Sequence, residues 1–144
     1  MSKILVTGGT GFVGSHLTEK LVALGHQVTI LDNTEFGTLD NISSVVDKVN
    51  LVKGDLAQPD LVEKAVEGCE FIFHLAANNS VGRSVERPTW SAEQNIIGTV
   101  RLLETAVKHK IKRVVFSSSC TVYGDSEELP LRETTPAIPV SPYA

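Results

Sequence analysis

The stretch Thr7-Gly8-Gly9-Thr10-Gly11-Phe12-Val13-Gly14 decides the fold of this 144-residue chain. It follows a short apolar run, Lys3 to Thr7, and opens an amphipathic one, Phe12 to Leu24. The first reads as a buried strand. The second carries apolar residues at Phe12, Val13, Leu17, Leu21, Val22 and Leu24, which suits a helix packed on a sheet and stopped by Gly25. The glycines at 8, 11 and 14 are spaced G-x-x-G-x-x-G. A tight turn needs a residue free of Cβ, and close approach of a pyrophosphate needs bare backbone beside a helix N-terminus. A glycine turn without a ligand has the same composition, so its placement between strand and helix carries the reading.

Outward from this turn the pattern alternates. Gln27 to Leu31 and Val49 to Lys53 read as strands, Pro59 to Glu67 as a short helix ended by Gly68, and Phe71 to Leu75 as a fourth strand. Thr89 to Lys110 contains a long helix, Arg113 to Phe116 is a fifth strand, and from Gly124 onward the chain reads as loop. Repeated strand-helix-strand units imply a parallel sheet with right-handed crossovers. The expectation is an α/β, Rossmann-type doubly wound parallel sheet in a single domain, residues 1–144. About five strands are visible where such a sheet usually carries six or more, so it reads as truncated, with the substrate domain absent.

Composition narrows the function classes. A net charge of -4 without a basic run excludes phosphate-backbone binding of the usual kind, so no nucleic-acid partner is expected. The first residues turn glycine-rich at once, unlike a signal peptide, and no apolar run approaches the roughly 20 residues that span a bilayer. A cytoplasmic protein with no membrane partner is expected, which leaves the sequons at Asn41 and Asn78 without meaning. Cys69 and Cys120 make no metal-ligand spacing with the four histidines. They are expected as reduced core thiols, and no metal site is expected.

Asp32, with Asn33 beside it, ends the second strand eighteen residues after Gly14. In this fold a carboxylate there accepts hydrogen bonds from the adenosine ribose hydroxyls. It would repel a 2′-phosphate, and no Arg lies between Asp32 and Gly37, so NAD is expected over NADP. The same Asp-Asn pair also suits a simple turn. Asp55, after the third strand, could accept from an adenine amino group or cap the following helix.

These landmarks fall in order with His74-Leu75-Ala76-Ala77, Asn95-Ile96-Ile97-Gly98-Thr99, Ser117-Ser118-Ser119-Cys120-Thr121-Val122-Tyr123-Gly124 and Ser141-Pro142-Tyr143. Together they resemble the extended short-chain dehydrogenases, in the NAD-dependent epimerase/dehydratase branch. Within it, Val81-Gly82-Arg83-Ser84-Val85-Glu86-Arg87-Pro88 and the serine run look most like the UDP-glucose (UDP-galactose) 4-epimerases. The resemblance covers the whole chain and implies roles. Gly8, Gly11, Phe12, Val13 and Gly14 would meet the pyrophosphate of NAD. Asp32 and Asn33 would serve the ribose, Asp55 and Leu56 would flank adenine, and Leu75, Ala76 and Ala77 would line the dinucleotide. Asn95 would support the site from the long helix. Ser119 would hydrogen-bond the reacting hydroxyl of a UDP-hexose, and Tyr143 would be the acid/base of a Tyr-x-x-x-Lys motif. On the residues alone, Asn95 could be a helix-surface amide, Ser119 one hydroxyl of a polar strand end, and Tyr143 an aromatic near a chain end.

The implied reaction is a reversible oxidation at the sugar C4, with Tyr143 taking the hydroxyl proton and NAD taking the hydride. Dehydratases and decarboxylases of the family commonly carry Thr-Asp-Glu or Thr-Ser-Glu where this chain has Ser119-Cys120-Thr121. The absent carboxylate favours simple oxidation-reduction over elimination. The galactose-epimerase branch usually has Lys at the position of Asn79, which leaves the hexose open. A dehydratase or reductase of the same family, and a non-catalytic NAD-binding module, are the alternatives. The motif's Lys and the substrate region lie outside these residues, so the fragment alone is expected to be inactive. The resemblance also implies a homodimer for the full-length protein through the long helix, and a weak one for this fragment.

Overall fold

The computed structural model describes residues 1–144. Five strands, β1 Lys3–Thr7, β2 Gln27–Asp32, β3 Val49–Lys53, β4 Phe71–His74 and β5 Arg113–Phe116, form one sheet. Its order is β3-β2-β1-β4-β5, and every pairing is parallel. Each crossover returns over the sheet, as the alternating pattern requires. The sequence direction reverses between β1 and β4, and ligands of such sheets bind at that switch point, beyond the carboxyl ends of the strands.

Alternation along the strands sorts the core into two layers. Leu5, Leu31, Val52 and Ile72 face helices α2 (Pro59–Val66) and α5 (Gly98–Lys108), where Val62, Val66, Leu102 and Ala106 meet them. Ile4, Val6, Val28 and Ile30 face α1 (Phe12–Ala23) and the turn around Ile42 and Val45. β1 is buried on both faces, which is why its run is apolar without alternation. β5 is an edge strand, with Val115 44% and Phe116 60% exposed.

Element ends move by a residue: β2 reaches Asp32, while β4 stops at His74, α1 at Ala23 and α2 at Val66. The expected long helix is present as one uninterrupted helical run over residues 88–108, made of α4 Pro88–Ala92, a π turn Glu93–Ile97 and α5. What the sequence does not show is the π turn, nor the short α3, Val81–Glu86, that precedes the run. The π turn follows from side chains that compete for the backbone. Asn95 bonds the chain at Asn78, and the Thr99 hydroxyl donates to the Asn95 carbonyl at 2.5 Å. A second correction concerns the thiols: Cys69 is buried, but Cys120 is exposed, because it stands in a 3-10 turn, Cys120–Tyr123, past the sheet edge.

Candidate functional site

The turn between β1 and α1 is built by close contacts that forbid side chains. Gly8 has a positive φ of 71°, and a Cβ there would lie 2.8 Å from the Ala76 nitrogen. A Cβ at Gly14 would lie 2.0 Å from the Gly8 carbonyl oxygen. These contacts bring the first turn of α1 against the loop that leaves β4. The N–H groups of Phe12, Val13 and Gly14 find no acceptor in the chain, as the first turn of a helix requires. They open into a cleft of about 340 Å³, within the usual size of a ligand pocket. Phe12 and Val13 stand at its mouth, 80% and 61% exposed.

Gly8, Gly11, Phe12, Val13, Gly14, Asp32, Asn33, Asp55, Leu56, Leu75, Ala76 and Ala77 all line this one cleft. They arrive from the ends of four strands. Asp32 is buried, and its two oxygens accept from the N–H groups of Thr10 (2.9 Å) and Thr34 (2.8 Å). The turn-forming use of Asp32 is thus real, and it tethers the glycine loop as well. Each oxygen keeps a further lone pair. Asp55 is not a helix cap: Gln58 holds the N-cap position of α2 without a side-chain capping bond, and its side chain accepts from the Asp55 N–H at 2.9 Å. The Asp55 carboxylate accepts instead from the Ala57 N–H at 2.8 Å and from the Asn33 amide at 2.9 Å. A carboxylate held by neutral donors and open to a cleft is an acceptor for an amino group.

Asn95 does not line the cleft, nor is it an idle surface amide. Its Oδ1 accepts from the Asn78 N–H at 2.8 Å, and its Nδ2 donates to the Asn78 carbonyl at 2.9 Å. It thereby pins the loop behind Leu75 to Ala77, and Asn78 itself faces the cleft. Ser119 and Tyr143 also stand away from the cleft lining. Ser119 accepts from the Thr121 N–H at 3.3 Å and shares a hydrogen bond with the Thr121 hydroxyl at 2.9 Å. The Tyr143 N–H donates to the hydroxyl of buried Ser84 at 3.2 Å, which docks the last residues on α3.

Sequence reasoning passed over several residues of the site. His74 ends β4 with a fully buried ring. Desolvation lowers its pKa to about 4, so the imidazole is neutral. Thr7 Oγ1 accepts from the N–H groups of Leu75 and Ala76, both at 3.2 Å, so its own proton goes to His74 Nδ1 at 2.7 Å. That leaves His74 Nε2 to donate to Thr99 Oγ1 at 2.9 Å, and Thr99 donates onward to the Asn95 carbonyl. The buried chain has one consistent direction. The period-2 burial of Ile72 and His74 was the signal available for this. At the rim, Arg83 pairs with Glu35 at 2.7 Å and lies 5.5 Å over the Phe36 ring, which joins α3 to the loop after β2. Only the fold brings these two, 48 positions apart, together.

The family model described as GDP-mannose 4,6 dehydratase matches residues 5–144. The chain belongs to that family, a branch of the extended short-chain dehydrogenases. Among curated relatives of the family, the UDP-glucose 4-epimerase of Mycolicibacterium smegmatis is 44% identical over 146 residues, covering 99% of this chain and 47% of that protein. The enzyme of the same name from Halalkalibacterium halodurans is 38% identical over 142 residues, covering 97% of this chain and 41% of its own length. The chain therefore spans less than half the length of these relatives. Among solved structures, the UDP-glucose 4-epimerase of Thermus thermophilus in complex with NAD superposes with a TM-score of 0.88 at 38% identity. The Thermotoga maritima enzyme with UDP-glucose gives 0.88 at 36% identity. Each match covers 98% of this chain and 46% of the solved one.

Proposed function

We propose that the cleft binds NAD and that the whole protein is a nucleotide-sugar 4-epimerase acting on a UDP-hexose. The carrying observation is the meeting of the Gly8–Gly14 turn with Asp32 and Asp55 in one cleft at the switch point of the sheet. The NAD and UDP-glucose named for the family structures support it. In this reading the free N–H groups of Phe12, Val13 and Gly14 hold the pyrophosphate. The spare lone pairs of Asp32 meet the ribose hydroxyls, beside Asn33. Asp55 accepts from the adenine amino group, with Leu56 against the base. Leu75, Ala76 and Ala77 form the wall along the rest of the dinucleotide, and Asn95 keeps that wall in place through Asn78.

Bound NAD would supply the hydride acceptor for oxidation at C4. Tyr143 removes the proton of the reacting hydroxyl, and Ser119 orients that hydroxyl by hydrogen bonding. Cys120 and Thr121 carry no carboxyl group, which supports epimerisation over the elimination in the family model's description. The protein acts as a homodimer. The stripe Ile96, Val100, Leu103 and Val107, exposed by 60%, 46%, 43% and 80%, recurs at helical spacing and supports a shared helix face. It works in the cytoplasm, in keeping with its two unpaired thiols. No helix is long and apolar enough to cross a membrane.

Calorimetric titration of the chain with NAD and NADP tests the cofactor reading. Saturable NAD binding, about 10-fold or more tighter than NADP, is expected; no NAD binding would overturn it. In the complete protein, Tyr143→Phe should lower turnover of UDP-galactose about 100-fold or more, the usual worth of a general acid/base. Undiminished turnover would remove Tyr143 from the reaction.

A further inference from the structure

Gln94 carries no motif and attracts no attention in the sequence. It sits in the π turn Glu93–Ile97, between α4 and α5. A π turn adds a residue to one turn of helix and re-aims its neighbours, and such turns recur at functional sites. Here two consecutive amides point into the same region. Asn95 reaches the backbone of Asn78, and Gln94 lines the cleft. With its amide nitrogen facing Asp55, Gln94 lies 3.0 Å from Oδ2 and 3.2 Å from Oδ1. Asn33 already donates to Oδ2, and the Ala57 N–H to Oδ1. Donors from three separate segments thus converge on one carboxylate. All are neutral, so they fix its plane without cancelling its charge. Four bonds would be lavish for a structural acceptor on the surface of a cleft. Asn33, whose Oδ1 also accepts from the Glu35 N–H at 2.9 Å, and Gln94 come from segments far apart in the sequence.

We infer that Gln94 is a positioning residue for Asp55 that makes the cleft select a base with an amino group over one with a carbonyl group at the same place. The inference rests on the dinucleotide reading above. A carboxylate held in one plane attracts an amino donor and repels a carbonyl oxygen. The 3.2 Å branch from Gln94 to Oδ1 is the weakest of the set, and it is the one an entering amino group replaces. Without Gln94 the carboxylate is free to turn toward Asn33 and water, and the contrast between the two bases shrinks.

The test compares two probes: NAD, and the dinucleotide in which hypoxanthine replaces adenine. Both are titrated into the wild-type chain and into Gln94→Leu, which keeps the volume and removes the amide. The wild type should prefer NAD by about 10-fold, and the variant should lose most of that preference through weaker NAD binding alone. Gln94→Glu sets a like charge beside Asp55 and should also narrow the preference. Gln94 is only partly buried in its turn, and thermal melting of both variants checks that the fold is kept. Equal losses for both dinucleotides would make Gln94 a merely structural residue and overturn the inference. So would an unchanged ratio, or a wild type that binds the two probes alike. A wild type that binds neither would instead overturn the dinucleotide reading itself, and the inference with it.

Discussion

Acidification should expose the cost of keeping His74 neutral. The ring is fully buried, its pKa is lowered from 6.5 to about 4 by desolvation, and no charged partner offsets that burial. Above pH 6.5 the imidazole is neutral whether the chain is folded or not. Between 6.5 and 4 the unfolded chain binds a proton that the folded chain refuses. Stability is therefore complete above the unfolded value, falls as pH drops through this window, and stops falling from this source below the folded value. The whole window is worth about 3 kcal/mol, and the span from pH 7 to pH 5 about 2 kcal/mol. For a domain of this size the latter lowers the Tm by about 4–8 °C. Glu63 and Glu70 are held below the usual carboxylate range by hydrogen bonds from Lys108 and Lys112, so their contribution is lost only below the ordinary value of 4.5. Staying at or above pH 5 keeps them out of the comparison. The assay is urea unfolding at pH 7 and pH 5, on the wild type and on His74→Gln, which can still accept from Thr7 and donate to Thr99. The variant should be nearly insensitive over this span. Equal pH sensitivity of the two proteins would refute the assignment of the proton uptake to His74.

Three further outcomes follow from the geometry. Gly14→Ala places a Cβ 2.0 Å from the Gly8 oxygen, so it should cost more than about 2 kcal/mol of stability and abolish nucleotide binding, read by denaturant unfolding and calorimetry. Asn95→Ala removes both bonds to the Asn78 backbone and should cost about 1–3 kcal/mol, with faster amide exchange at residues 76–79. Arg83→Ala breaks an ion pair whose side chains are 48% and 41% exposed, so the loss should stay below about 1 kcal/mol and shrink further in high salt.

Much of this was legible in the residues. The strand-glycine-helix opening, the apolar runs of β1 to β5 and the carboxylates at the ends of β2 and β3 have local causes, so sequence shows them. Twelve of the thirteen residues assigned to the cofactor line one cleft because strand ends of a parallel sheet share one edge. Asn95 differs because its partner is a backbone 17 positions away, which no periodicity encodes. The π turn escaped for a related reason. The apolar spacing fits a regular helix, while the π turn is imposed by the Asn95 amide reaching the distant Asn78 backbone and the Thr99 hydroxyl bonding the Asn95 carbonyl. Arg83 beside Glu35 and Gln94 beside Asp55 are likewise products of tertiary assembly. Cys120 misled because thiols are usually buried, and only the end of β5 explains its exposure.

The contact between Gly8 and the loop at Ala76 has a kinetic meaning. The Ala76 N–H is bonded to Thr7 across 69 positions of chain, so the cleft does not exist until β4 has docked beside β1. A chain with only β1, α1 and β2 assembled has the glycine turn but lacks its opposing wall. Long-range pairing of this kind is a late and slow event in folding. A nucleotide that needs both walls then recognises the completed sheet and nothing earlier. Its binding should leave the folding rate almost untouched and act by slowing unfolding.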